Sequence, residues 1–242
     1  MSWPATRQDL IDHQAELARA APPHWRPGER VAVGGCFVCF ERGPSGPGRA
    51  GEPGWAGAAV VRDGTLAATA AVEGTAGAPY EAGLLALREG PLLEAAVRAL
   101  DEPPDVLLVN ATGRDHPRRA GLALHLGAVL ELPTIGVTHR PLLATGASPV
   151  DTRGATAPLE LDDEVVGQWL RTRAGTRPLA VHAAWRTDPE LATRLVLAQC
   201  RTRTPEPLRH ARRVARPRTL GTPTPLESPR GPLRPDDPPA PG

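Results

Sequence analysis

The chain has 242 residues and a formal net charge of +1, and 40% of its residues are hydrophobic. That length is enough for one domain with a sizeable core. The near-neutral charge excludes a strong non-specific DNA binder, whose affinity depends on many phosphate contacts, but it allows a local basic cleft. Three cysteines exclude a disulfide framework.

The two ends of the chain bear on its location and domain organisation. The N-terminus lacks a basic region followed by an apolar core, and no stretch is apolar enough to span a membrane. We therefore expect a soluble, cytoplasmic protein with no membrane partner, and we expect a monomer. Residues 217–242 contain nine prolines and little apolar surface, which predicts a disordered tail after a folded domain over residues 1–216.

The first half of the chain predicts a helix and then a group of strands. Apolar residues at helical spacing cover residues 5–21, where two prolines end the helix. Strands are predicted over residues 31–40, 55–61 and 66–72, and the turn signal Asp63-Gly64 joins the last two as a hairpin. These are three consecutive antiparallel strands.

The second half alternates helices with short strands. The apolar run over residues 106–109 is continuous, as in a strand buried on both faces. The predicted elements are helices over 83–100, 118–130, 189–200 and 207–215, and strands over 106–109, 134–137, 165–172 and 179–182. This order indicates an α/β fold with a mixed sheet, whose central strands present their C-terminal ends to one crevice.

Three segments carry the chemically informative residues. They are PYEAGLLALRE at residues 79–89, VNATGRDHPRRAG at residues 109–121 and LPTIGV at residues 132–137. The first resembles the P-Y-x-P-G-x-L-x-x-R-E motif of the endonuclease V family, and the second resembles its V-D-G-x-G-x-x-H-P-R-R-x-G motif. The third is similar to the family's strand that ends in P-T-I-G-V, and the resemblance covers about residues 5–215.

The resemblance implies a ribonuclease H-like fold, a mixed β-sheet with helices on both faces. It also implies hydrolysis of a phosphodiester one nucleotide 3′ of deoxyinosine or inosine. The cofactor implied is Mg²⁺, or Mn²⁺ in its place, held by carboxylate oxygens so that it activates water. The partner implied is DNA or RNA that contains a deaminated purine.

Carried over by position, the resemblance assigns roles to individual residues. Glu89 matches the family's metal-binding glutamate, and His116 matches an active-site histidine. Pro79, Tyr80 and Gly83 match a wedge loop that supports the strands around an extruded base. Substrate binding is further assigned to two residues near the ends of the central strands, Gly113 and His139.

The sequence departs from the family's pattern at the metal ligands. Phe37 stands at the position of the first-strand aspartate, and Asn110 at that of the aspartate after the central strand. His139 replaces a lysine, and Trp185 aligns with a second active-site histidine. Phenylalanine cannot bind Mg²⁺, and asparagine offers a neutral oxygen, so each lost charge weakens cation binding by about 1–4 kcal/mol.

Three readings follow from these departures. In the first, the chain is a nuclease with a weakened or rebuilt metal site, in which Glu89, Asn110 and Asp115 are the candidate metal ligands. In the second, it is a non-catalytic binder that keeps the wedge and the pocket. In the third, it is an interaction domain that kept only the fold, with the proline-rich tail as a docking segment.

Overall fold

The computed structural model describes residues 3–41 and 48–216, so the predicted tail lies outside the described residues. Eight strands and five helices occur in that part of the chain. Their order is α1 (Arg7–Arg19), β1 (Val33–Phe40), β2 (Pro53–Arg62), β3 (Thr65–Thr75), α2 (Leu85–Arg98), β4 (Val106–Val109), α3 (Leu122–Leu130), β5 (Thr134–Thr138), β6 (Thr156–Leu161), β7 (Glu164–Leu170), β8 (Leu179–Ala183), α4 (Pro189–Ala198) and α5 (Glu206–Val214). None of these helices is long and apolar enough to cross a membrane.

The strands form one mixed sheet in the order β3-β2-β1-β4-β5-β8-β7-β6. β1, β4 and β5 are parallel neighbours, and the other pairs are antiparallel. The predicted α/β class and its mixed sheet are therefore confirmed. β4 has only four residues and all are buried. Because β1, β4 and β5 are parallel, their C-terminal ends meet at the same edge of the sheet.

Helices cover both faces of the sheet. α1, α2 and α3 pack on one face in a hydrophobic cluster that includes Leu10, Leu93 and Leu124. α4 and α5 pack on the other, against residues such as Ile135 and Val181. Because successive strand residues point to opposite faces, β1 turns Cys36 towards α2 and Phe37 towards α5.

Backbone conformation explains why α2 and α3 begin later than predicted, and one strand was missed. Gly83 has a φ of +80°, a left-handed conformation that excludes it from α2. Arg119 has a φ of 55° in the turn before α3, which therefore begins at Leu122. The missed strand, β6, contains Pro158, a residue that argues against a central strand but is tolerated at a sheet edge.

β1 and α5 are in close contact at Gly35. A Cβ atom added to Gly35 would lie 2.4 Å from the carbonyl carbon of Pro207 and 2.6 Å from the amide nitrogen of Leu208. Both atoms are backbone, so neither can rotate away. Glycine at this position therefore sets the distance between α5 and the sheet.

We predict that Gly35→Ala destabilises the fold by about 1–3 kcal/mol, because α5 must move off the sheet. Urea unfolding measures the change. Gly28→Ala is the matched control, since an added Cβ there meets nothing within 4 Å, and it should leave the midpoint unchanged. Equal midpoints for the two variants would contradict the proposed contact.

Candidate nucleic-acid interface

The loop over residues 79–83, the Tyr80 loop, forms the wall of a cavity between α1, α2 and α3. This cavity, the Tyr80 pocket, is lined by Gln14, Tyr80, Ala82, Gly83, Leu85, Ala86, Ala111, Thr112, His116, Leu122 and Leu142. Tyr80 is 51% exposed, and its amide donates to the carbonyl of Gly48 at 2.8 Å. The structure thus places an exposed aromatic ring beside a largely apolar cavity.

Three side chains fix the Tyr80 loop through one backbone atom. The carbonyl oxygen of Gly83 accepts from Gln14 Nε2 at 3.1 Å, from His116 Nε2 at 3.0 Å and from Arg118 Nη2 at 2.9 Å. Gln14 also accepts from Arg118 Nε through its Oε1 atom. Because these residues come from α1 and from the segment before α3, they tie the loop to two separate parts of the domain.

We call Gln14, His116 and Arg118, the three residues that donate to the carbonyl oxygen of Gly83, the Gly83 clamp. The Nδ1 atom of His116 accepts from the amide of Arg118 at 3.2 Å, so the ring proton lies on Nε2, which donates to Gly83. Burial lowers the pKa of His116 to about 4, and the hydrogen bond to Gly83 opposes that shift. The ring is therefore neutral at pH 7, and both nitrogens are engaged in hydrogen bonds within the protein.

The first turn of α2 faces the Tyr80 pocket. Leu85 and Ala86 open this helix, and their amides have no carbonyl one turn back in the helix to accept from them. Leu84, at the N-cap, supplies no side-chain acceptor. These amides are hydrogen-bond donors at the positive end of the helix dipole, on residues that line the pocket.

A second cavity lies at the sheet edge beneath α5. This α5 pocket contains Phe37, Asn110, His139 and Arg212 among its lining residues. Asn110 and His139 are exposed, and Phe37 is half-buried. The structure therefore brings together the predicted positions 37, 110 and 139, but an apolar ring, a neutral amide and an imidazole occupy them.

Glu89 lies on α2, on the other face of the sheet, beside Cys36. Its charge contributes to the raised pKa of that thiol. Burial raises the pKa of Glu89 itself to about 7, and the neighbouring Arg88 opposes the shift. Arg88 is paired with Glu52, at 2.6 Å between Nη2 and Oε2, and among the residues that the structure describes Glu89 forms no ion pair of its own.

The carboxylate of Asp115, a candidate metal ligand in the sequence analysis, is engaged by the protein backbone. The Asp115 side chain is fully buried and accepts from the amides of Leu142, Leu143 and Ala144 at 2.6–2.8 Å. The ring of His182 is 3.7 Å away, yet its pKa is lowered to about 4 because complete burial outweighs the charge of Asp115. The carboxylate therefore holds the loop after β5.

The remaining predicted positions lie outside the two pockets. Gly113 packs against β8, where an added Cβ would lie 2.1 Å from the carbonyl oxygen of Ala183, so its role is close packing. Pro79 is exposed at the start of the Tyr80 loop. The Trp185 amide donates to Thr134 Oγ1 at 3.1 Å, at the opposite end of β5 from His139.

The residues present do not fit a divalent cation. Within residues 3–41 and 48–216, no group of three or more histidine, cysteine, aspartate or glutamate side chains could hold a metal ion. Phe37 presents a ring, Asn110 carries no charge, and the oxygens of Asp115 are engaged by backbone amides. A hard cation requires several oxygen ligands with negative charge among them.

The fold and the Tyr80 pocket define an α/β protein of the ribonuclease H-like class. A family model described as Endonuclease V matches residues 33–213. An Endonuclease V from Dehalococcoides mccartyi is 37% identical over 218 residues, which cover 88% of this chain and 94% of the relative. The chain therefore belongs to the endonuclease V family.

Solved structures share the fold of this chain. The Endonuclease V of Streptomyces avermitilis superposes with a TM-score of 0.79 and 34% identity, over 88% of this chain and 93% of that one. That of Ciona intestinalis, in complex with a 24mer DNA containing an inosine followed by a ribo-adenosine, is 22% identical, with a TM-score of 0.68 over 86% and 95% of the two chains. Matches to two other curated relatives span only 63% and 62% of those proteins.

The motif comparison assigned no role to three residues that the structure places at the site, Gln14, Arg118 and Arg212. Gln14 is 1% exposed, and its position between Leu10 and Leu17 on the apolar face of α1 was a usable signal. Arg118 lies inside the second motif segment and Arg212 lies outside all three. Neither was given a role, because a linear sequence does not show which arginine approaches a backbone carbonyl or an aromatic ring.

We predict that Asp115→Asn destabilises the fold by about 2 kcal/mol or more, because the new amide turns a donor towards buried backbone donors. Asp162→Asn is the matched control, since the Asp162 side chain is 83% exposed in its pair with Arg119. This variant should change the free energy of unfolding little. Chemical denaturation compares the two. Full stability of Asp115→Asn, together with a binding defect, would contradict a structural role.

A second prediction concerns the charge of Glu89. A carboxyl with a raised pKa favours the folded state when protonated, so its ionisation removes stability as pH rises from about 4.5 through 7. Glu89→Gln should therefore raise the free energy of unfolding at pH 8 by about 1–2 kcal/mol and change little at pH 4.5. Thermal unfolding of both proteins at the two pH values measures this, and destabilisation at pH 8 would contradict it.

Proposed function

We propose that the chain binds DNA or RNA containing a deaminated purine, takes the extruded base into the Tyr80 pocket and does not cleave the strand efficiently. The observation that supports this proposal most directly is the contrast between the two pockets. The Tyr80 pocket keeps the Tyr80 loop and the hydrogen bonds that hold it at Gly83, and the first residues of α2 line it. The α5 pocket has no carboxylate among its described lining residues.

The Tyr80 pocket suits the chemistry of hypoxanthine. Deamination replaces the amino group of adenine by a carbonyl oxygen, so a donor-lined site accepts hypoxanthine and leaves a donor unpaired against adenine. The amides of Leu85 and Ala86 are such donors. Tyr80 offers a ring that fills the space left by an extruded base or stacks on its neighbour.

Hydrolysis 3′ of the deaminated base is the second candidate, and the presence of Glu89 on the family's motif favours it. Against it, the structure offers no set of oxygen ligands in the described residues that would hold Mg²⁺ or Mn²⁺. His116, which matches the family's active-site histidine, is hydrogen-bonded to Gly83 and Arg118. Our proposal therefore separates recognition from cleavage.

The proposal includes two further expectations from the sequence. The protein acts as a monomer, and it acts in the cytoplasm. The nucleic acid is a strand in which the deaminated base can leave the stack at small cost, as in a mismatch or a single strand.

Fluorescence anisotropy with two labelled single-stranded DNA oligonucleotides tests the proposal. They differ only in one central base, deoxyinosine in one and deoxyadenosine in the other. We expect about tenfold tighter binding to the deoxyinosine strand, the value of one unpaired donor. Equal affinities would overturn the proposed recognition.

We predict that Tyr80→Ala weakens binding to the deoxyinosine strand by about tenfold, because one base–aromatic contact is lost. The exposed position of the ring means that folding should be unaffected. Leu66→Ala removes a large, 43% exposed side chain from β3 and serves as the matched control, with unchanged affinity. The same loss in both variants would show that Tyr80 has no specific contact.

A further inference from the structure

The α5 pocket is arranged around a stacked arginine. The guanidinium carbon of Arg212 lies 5.3 Å from the centroid of the Phe37 ring, within the range of a cation–π contact. Such stacking restrains the guanidinium plane and leaves the N–H groups at its edge free to donate. Arg212 is exposed, and in the described part of the chain it joins no ion pair, whereas Arg209 on the same helix is paired with Glu206.

A second arginine orients His139 at the same pocket. Arg203 donates from Nη1 to His139 Nδ1 at 3.0 Å and from Nε to the carbonyl of Arg177 at 2.7 Å. Because Nδ1 accepts, the proton of the neutral imidazole lies on Nε2, which remains a donor. Burial and the charges of Arg203 and Arg212 lower the pKa of His139, which agrees with a positive potential there.

The pocket therefore attracts anions. Asn110 contributes an exposed amide with two N–H donors, and the lining residues that the structure describes include no aspartate or glutamate. A divalent cation would meet the charge of Arg212 with no carboxylate to offset it. An oxyanion would instead meet a guanidinium, an amide and an imidazole N–H.

We propose that Arg212, together with Asn110 and His139, binds a backbone phosphate of the nucleic acid directly, so that this chain binds its ligand without a divalent cation. The inference rests on the proposed function, since it identifies how the strand is held once its base enters the Tyr80 pocket. Arginine suits this task because its planar N–H groups match two phosphate oxygens at once.

The first test is the effect of divalent cations on the affinity of the wild-type protein for the labelled deoxyinosine strand. Anisotropy titrations at constant ionic strength are run in EDTA, in Mg²⁺ and in Mn²⁺. We expect dissociation constants that agree within about twofold. Binding that requires either cation, with a loss of tenfold or more in EDTA, would overturn the inference.

The second test compares two variants that each replace one arginine of α5 by an uncharged glutamine. Arg212→Gln should weaken binding about tenfold, the value of one charge-assisted contact, and should lower the slope of log affinity against log salt by about one. Arg213→Gln removes the same charge from the next, also exposed residue, which lines another cavity beside β3. Equal effects in the two variants would contradict a specific phosphate contact.

The third test adds a negative charge to the α5 pocket with a minimal change of side-chain shape. Asn110→Asp replaces an exposed amide by a carboxylate, which repels a phosphate. We expect binding in EDTA to weaken about fivefold or more, and wild-type affinity in this variant would overturn the inference. The preference for deoxyinosine over deoxyadenosine reports on the Tyr80 pocket alone, so loss of that preference and loss of cation independence are separate failures.

Discussion

The three hydrogen bonds to the carbonyl oxygen of Gly83 are the interaction on which the recognition surface depends. Gly83 adopts a left-handed φ of +80°, which turns its carbonyl towards donors from α1 and from the segment before α3. A loop tip of five residues with an exposed tyrosine would otherwise sample many conformations. The three hydrogen bonds join the loop to α1 and to the segment before α3, next to the residues at which α2 begins.

The Tyr80 pocket and the α5 pocket differ in the charge of the groups that line them. At the Tyr80 pocket the described lining is mostly apolar, and the proposed recognition of an oxo-purine needs only neutral hydrogen-bond donors there. At the edge of β1 and β4 the chemistry of cleavage needs negative charge, and Phe37 and Asn110 provide none. The positive potential from Arg203 and Arg212 changes the preferred ligand of that edge from a cation to an anion. Family membership and cleavage are therefore separate questions for this chain.

Much of the fold could be predicted because its elements are encoded locally. The apolar run of β4, the Asp63-Gly64 turn and the prolines that end helices gave most boundaries within a few residues. β6 was missed because its pattern is weak and contains Pro158. Motif matching brought positions 37, 110 and 139 together, as the structure does, but it could not show that Asp115 is buried under three backbone amides. Nor could it show that His116 Nε2 is engaged by Gly83, since such contacts join segments far apart in sequence.

The central claim is that the deaminated base is recognised while the strand remains intact. The most direct measurement is single-turnover incubation of excess protein with an end-labelled deoxyinosine strand and an inosine RNA, in Mg²⁺ and in Mn²⁺, followed by separation of the products at single-nucleotide resolution. We predict intact strands under conditions where anisotropy shows the same strands to be bound. Cleavage one nucleotide 3′ of the deaminated base, abolished by Glu89→Ala, would contradict the account.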